Sequence, residues 1–359
     1  MHLGIPALLD FYRSHRDEES LVLATIIATE GSTYRKPGAM MLVNRDGAYE
    51  GMISGGCLEG DLLHHAAQVF SSGEPAFVTY DMHADEDLVW SLGLGCDGVI
   101  HLMLQRLDRQ EGFGFLRQLE SSHEAGKAAL IALVIQPGDG VEANACAVLD
   151  QAGNTEGAPG LLQVLENVAG DWPQWRFRRT FVERSDAPPE LILVHAPRQT
   201  RALICGGGPD AVPVARVLSE LDWDVQIVDH RPAFTRPGRF PGSCTVTQTR
   251  PDQVGESVNL NQLDAVVIMS HHLENDAAYL GALAGHEIPY LGVLGPAARR
   301  DRLCNMAGID SSTLHGPVGL DIGAELPGAI ALSVAAEIHA VLNNRDGRSL
   351  TMKVETNES

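Results

Sequence analysis

Arg201-Ala202-Leu203-Ile204-Cys205-Gly206-Gly207-Gly208-Pro209-Asp210-Ala211 carries an apolar stretch into three glycines, then into a segment whose Ala211, Val214, Ala215 and Leu218 share one helical face. Val225-Gln226-Ile227-Val228-Asp229 follows and closes on an acid. Strand, glycine turn, helix and second strand in this order fit G-x-G-x-x-G/A, with Ala211 in the third glycine position. The glycines let backbone approach a phosphate at the helix start, and an acid about 20 residues on accepts a ribose hydroxyl. The stretch therefore predicts a Rossmann-type nucleotide unit in which Gly206, Gly208 and Asp229 meet the ligand. Such turns also occur where glycine serves only close strand–helix packing, so the motif speaks more firmly for fold than for ligand.

Working outward, short apolar runs at Ala202–Cys205, Val225–Asp229, Ala265–Met269 and Tyr290–Leu294 alternate with helical segments, the pattern of a parallel sheet with crossover helices. The strand ending at Met269 runs into Ser270-His271-His272, which places His271 beyond a carboxyl end, where ligands of such sheets sit. A last helix begins at Pro327 and carries Ile330, Val334, Ile338 and Leu342. The N-terminal part is different. A helix with Ile5, Leu8, Leu9 and Tyr12, a buried strand from Leu21 to Thr29 and a hairpin about Asn44-Arg45-Asp46-Gly47 predict a mixed α+β module. The fold expected is α/β, with an α+β domain over 1–197, a Rossmann-like parallel-sheet domain over 198–345 and a polar tail over 346–359. Residues 112–197 are weakly patterned and complete the first domain.

The chain has 359 residues, more than one compact domain ordinarily holds. Its 47 acidic against 26 basic residues leave a formal charge of -21, which repels nucleic acid and anionic membranes, so an anionic ligand must be held locally. No apolar run approaches a membrane span, and the start lacks a secretory pattern, so a cytoplasmic protein is expected. Cys57, Cys96, Cys146, Cys205, Cys244 and Cys304 form no CxxC pair and read as reduced thiols.

Two cysteines stand apart. Ser54-Gly55-Gly56-Cys57-Leu58-Glu59-Gly60 joins a strand to a helix, so its amides can face an anion, and the helix field at Cys57 favours a thiolate suited to soft metals or sulfur transfer. Cys96 sits in Gly93-Leu94-Gly95-Cys96-Asp97-Gly98. Equally, both thiols can fill tight space beside turns. Arg35, in Gly31-Ser32-Thr33-Tyr34-Arg35-Lys36-Pro37-Gly38, can grip phosphate with a bidentate fork, or be a solvated surface charge. His64, His65, His83 and His101 lack metal-ligand spacing, and no catalytic residue can be assigned.

In order along the chain, the segments 31–40, 54–60 and 93–98, then Gly206-Gly207-Gly208-Pro209, Met269-Ser270-His271-His272, Tyr290–Gly295 and Gly316–Glu325, resemble the XdhC/CoxI family, the xanthine dehydrogenase accessory factors. The resemblance implies a chaperone, not itself a catalyst, that binds molybdenum cofactor (molybdopterin). Such a chaperone holds the cofactor while a cysteine desulfurase supplies sulfur, and passes it to a xanthine dehydrogenase-type molybdenum hydroxylase. It also implies a homodimer. The ligand set then comprises Arg35, Ser54, Gly55, Gly56, Cys57, Cys96, Gly206, Gly208, Asp229 and His271, with Cys57 and Cys96 as molybdenum or sulfur contacts and NAD(P) or another nucleotide on the Rossmann unit. The competing reading is an NAD(P)-dependent oxidoreductase of unknown substrate.

Overall fold

In the computed structural model, which describes residues 4–81, 98–138, 141–168, 177–181 and 189–351, the apolar run at Leu21 becomes the 12-residue strand β1 (Ser20–Gly31). β1 pairs antiparallel with β2 (Met40–Val43) on one side and β5 (Gly98–Asp108) on the other. Outside them lie β3 (Tyr49–Gly51) and β4 (Ala76–Asp81), giving the order β3-β2-β1-β5-β4. Side chains of a strand point alternately to the two faces. Leu21 and Leu23 pack with Leu8 and Leu9 of α1 (Ile5–His15), whereas Val22, Ala24 and Ile26 pack with Leu62, Ala66 and Val69 of α2 (Glu59–Ser72). Both faces being covered, the strand reads as continuously apolar.

The weakly patterned stretch 112–197 holds a second antiparallel sheet, of order β8-β7-β6-β10-β9. Its strands are β6 (Ala129–Gln136), β7 (Cys146–Asp150), β8 (Thr155–Gly157), β9 (Phe177–Phe181) and β10 (Glu190–Ala196). Ile131, Leu133, Val148 and Ile192 join Leu21, Leu23 and α1 in one core, closed by Leu116 and Leu119 of α3 (Leu116–Glu124). On the far face Leu161 and Leu165 of α4 (Pro159–Val168) cover Leu130, Ala132 and Leu193. This unit spans Met1–Arg198 and the second Gln199–Ser359.

The second unit is a parallel sheet of order β13-β12-β11-β14-β15. Its strands are β11 (Arg201–Cys205), β12 (Asp224–Asp229), β13 (Thr245–Gln248), β14 (Ala265–Ile268) and β15 (Tyr290–Val293). α5 (Ala211–Glu220) and α8 (Pro327–Leu342) cover one face through Val214, Leu218, Val334 and Ile338. α6 (Leu273–Leu283) and α7 (Ala297–Ala307) cover the other through Tyr279, Leu280 and Leu303. The expected parallel sheet with crossover helices is present. β13 is the strand that the pattern does not announce: an edge strand with exposed Thr245 and Gln248, it lacks an apolar period. Among the described residues no helix is long and apolar enough to cross a membrane. Of the expected polar tail, residues 352–359 lie outside the described residues.

Candidate functional site

Strand pairing in the first unit brings the motif-bearing connections to one end of a sheet. Gly31 stands opposite Gly98, Asp81 opposite Val99, and Met41 opposite Gly51. The links 32–39 and 52–58 therefore leave from the same sheet edge, and Asp81 and Gly98, which bracket Cys96 in sequence, lie there too. Cys96 itself lies outside the described residues. Gly98 is glycine for a steric reason, since a Cβ there would meet the Ser32 carbonyl at 2.6 Å and Thr33 Cγ2 at 2.7 Å. The register shift at Ile27 lets the Ile26 amide donate to Ala39 O at 2.9 Å and Ile26 O accept from the Gly38 amide at 2.8 Å, clipping the basic loop to the sheet.

That loop borders a cleft of about 420 Å³. Tyr34, Arg35 and Lys36 line it from the loop, Ile5 and Leu8 from α1, and His195 from β10. Tyr34 is 63 % exposed, and none of residues 54–57 lines the cleft.

The glycine–cysteine loop is organised from beneath. Glu59 is buried, and its carboxylate accepts from the amides of Ser54 at 2.9 Å and Leu58 at 3.1 Å and from the Ser54 hydroxyl at 2.6 Å. Burial alone pushes the Glu59 carboxyl up, but these donors outweigh it and hold it below the usual carboxylate range. Ser54 Oγ in turn accepts from the amides of Gly56 at 3.2 Å and Cys57 at 3.0 Å. In the structure, then, the Gly56 and Cys57 amides expected to face a phosphate have an internal acceptor. Gly56 adopts the left-handed φ of +104°, which tightens the turn and leaves Cys57 half-buried and unpaired. By contrast, burial pushes the Cys146 thiol up to about 12 and Cys205 well above the usual thiol range, so both are inert core thiols.

In the Rossmann unit the glycine turn is packed by the protein itself. A Cβ on Gly206 (φ +114°) would sit 2.7 Å from Ser270 Cα, and one on Gly207 2.8 Å from Phe234 O. Asp229 is 1 % exposed, and its oxygens accept from the Gly207 amide at 2.8 Å, the Arg231 amide at 2.8 Å and the Arg231 guanidinium at 2.9 and 2.7 Å. Burial raises the Asp229 carboxyl, yet Arg231 and the amides hold it below the usual range. The sequence assigns Asp229 to a ribose; the structure gives its lone pairs to Arg231 and the turn. His271 has a φ of +61°, uncommon for a side-chain-bearing residue, and its Nε2 lies 2.6 Å from Asp210 Oδ2 beside Gly208. Its loop is held by buried Asp276, which accepts from the Ser270 amide at 3.2 Å and from Arg299 at 2.6 Å.

Asp210, Arg231, Phe234 and Arg239 escape a reading by motif. A signal exists for three of them: His230–Phe240 holds Arg231, Arg236 and Arg239 and no acid, immediately after the ribose-acid position of an acidic chain. Among the described residues no group of His, Cys, Asp and Glu could hold a metal ion.

Fold and site define a two-unit α/β protein in which an antiparallel module with a glycine–cysteine loop edge precedes a Rossmann unit. Residues 202–338 match the XdhC Rossmann domain and residues 14–81 the XdhC and CoxI family. A probable xanthine dehydrogenase subunit of Bacillus subtilis (strain 168) is 32% identical over 341 residues, 94% of this chain and 96% of that protein. The chain belongs to the XdhC and CoxI family. It is also 34% identical over 107 residues to the molybdenum cofactor insertion chaperone PaoD of Escherichia coli (strain K12), covering 29% of this chain and 32% of that one. The crystal structure of a xanthine dehydrogenase from Bacillus halodurans superposes with a TM-score of 0.78 at 28% identity, covering 98% of this chain and 100% of that chain.

Proposed function

We propose that this protein is a cytoplasmic accessory factor that binds molybdenum cofactor as cargo. In this reading it protects the cargo while a cysteine desulfurase supplies sulfur, and delivers it to a xanthine dehydrogenase-type molybdenum hydroxylase, acting as a homodimer. The observation that carries the reading is the shared sheet edge: a half-buried, unpaired Cys57 and the Arg35–Lys36 cleft of about 420 Å³ issue from one end of one sheet. The donor chemistry fits the cargo. A thiol suits the soft molybdenum–dithiolene end, the two cations suit its phosphate, and the cleft is of the size small ligands occupy. Two of the relatives support the same reading, PaoD as a chaperone of this cofactor and the Bacillus subtilis protein as part of a xanthine dehydrogenase.

The test is anaerobic purification from a host that makes the cofactor, followed by molybdenum, pterin and nucleotide analysis of one sample. Pterin and molybdenum together are expected. Replacing both cations, Arg35→Ala with Lys36→Ala, is expected to lower pterin content on the order of tenfold, the loss of charge-assisted bonds to a phosphate. Cys57→Ala protein that keeps full loading and full sulfuration of its target removes the thiol from the mechanism. Nicotinamide nucleotide with no pterin returns the oxidoreductase reading.

A further inference from the structure

The segment after β12 has no part in the proposed handling of the pterin. His230-Arg231-Pro232-Ala233-Phe234-Thr235-Arg236-Pro237-Gly238-Arg239-Phe240 contains three arginines and no carboxylate, in a chain of formal charge -21. It folds back onto the glycine turn: Arg239 Nε donates to Gly207 O at 3.2 Å, and the Phe234 backbone occupies the space that a Gly207 side chain would need. The Arg239 guanidinium lies 5.0 Å from the Phe234 ring centroid and 5.9 Å from that of Phe240, and Arg231 lies 4.1 Å from Phe234. These aromatic contacts hold the guanidiniums in place.

The charges are not equivalent. Arg231 is consumed by Asp229 in a two-point ion pair. Among the described residues neither Arg236, which is exposed, nor Arg239, which is half-buried, pairs with a carboxylate. Arg239 is fixed and unneutralised, and Arg236 stands in the same turn, its carbonyl accepting from the Arg239 amide at 3.4 Å; guanidiniums left without a carboxylate attract an anion, and their planar fork suits phosphate above all. Its position sets the class of ligand. In a Rossmann unit the end of the second strand meets the sugar of a nucleotide; an available acid there accepts from a bare ribose hydroxyl, and an arginine donates to a ribose phosphate. Here the acid is capped and the arginines are presented.

We infer that His230–Phe240 is a phosphate-recognition edge through which the Rossmann unit binds a nucleoside phosphate, with Arg236 and Arg239 as its ligands. The site goes beyond the cofactor-chaperone reading and does not depend on it. Two sources carry the required group: a ribose 2′-phosphate of the NADP type, or the diphosphate of a nucleotide such as GDP or CDP.

Isothermal titration of the full-length protein separates them. 2′,5′-ADP is compared with 5′-AMP, and GDP and CDP are titrated in parallel. Tighter binding of 2′,5′-ADP than of 5′-AMP by about tenfold or more identifies a 2′-phosphate, and binding of GDP or CDP without that preference identifies a diphosphate. In either case Arg236→Gln and Arg239→Gln are each expected to weaken the preferred ligand by roughly tenfold, the worth of a charge-assisted bond to phosphate. Arg236 makes no contact that folding requires, so its variant guards against a merely unfolded Arg239→Gln. Absence of binding by all four probes, or binding that neither substitution changes, overturns the inference. Pterin content of the same variants is measured separately: normal loading with lost nucleotide binding supports two sites, whereas failure of the chaperone reading leaves the titration result standing.

Discussion

Glu59 is the residue on which the glycine–cysteine loop turns. It is buried at 3 % exposure, and its charge reaches the Cys57 amide through the Ser54 hydroxyl, so the thiol's position depends on an acid two residues away. Glu59→Gln keeps the shape but loses the charge and an acceptor oxygen; the expected cost is about 1.5–3 kcal/mol by urea denaturation, the worth of hydrogen bonds to an ionised group. The pH dependence has a definite sign. Glu59 and Asp229 both titrate below their ordinary values in the folded chain, so the unfolded chain binds protons first as pH falls. Their stabilisation is complete above the unfolded carboxylate range, near pH 4, and is lost as pH drops through the lower folded values. Denaturation midpoints measured between about pH 6 and pH 3 should fall less steeply in Glu59→Gln than in the parent chain; identical slopes would remove Glu59 from the acid limb.

Glycines in the connecting elements divide into those that packing demands and those that it does not. Gly98→Ala sets a methyl against the Ser32 carbonyl, so either β5 or the basic loop must move, and a loss of about 1–3 kcal/mol is expected, as for other overpacked sites. Gly55 has nothing within 4 Å of an added Cβ, and its substitution by alanine should change stability by less than about 0.5 kcal/mol. If Gly55→Ala nevertheless lowers pterin content, that glycine serves the approach of a ligand and not the fold. The elements most legible in the sequence are those with a period or a long apolar run. β1, the β2–β3 hairpin, α2 and the last helix, whose Pro327–Leu342 bounds follow from its proline and its apolar face, are all written in local pattern. β7 and β10 are not: they too are interior strands without alternation, but at 5 and 7 residues their runs are much shorter than the 12 of β1. β13 is hidden for the opposite reason, being an edge with few apolar side chains.

At the scale of the whole molecule, each cluster of buried side chains is drawn from one unit alone. A polypeptide of residues 199–351 is therefore expected to unfold in a single cooperative transition when heated, followed by circular dichroism; a non-cooperative melt would show that its core needs the first unit. This scale also explains what sequence reading misses at the site. The fingerprint of Gly206 and Gly208 is local and visible, whereas Phe234 over Gly207, His271 on Asp210 and Gly98 under Ser32 join residues far apart in the chain. The fingerprint likewise does not announce that Arg231, two positions on from Asp229, pairs with it. The chain passes from one unit to the other once, between Arg198 and Gln199. A gene encoding it can then be cut at that codon into two reading frames, each specifying a complete sheet system. Relatives in which the two halves are inherited separately, or fused to other partners, are the genomic arrangement that this single crossing permits.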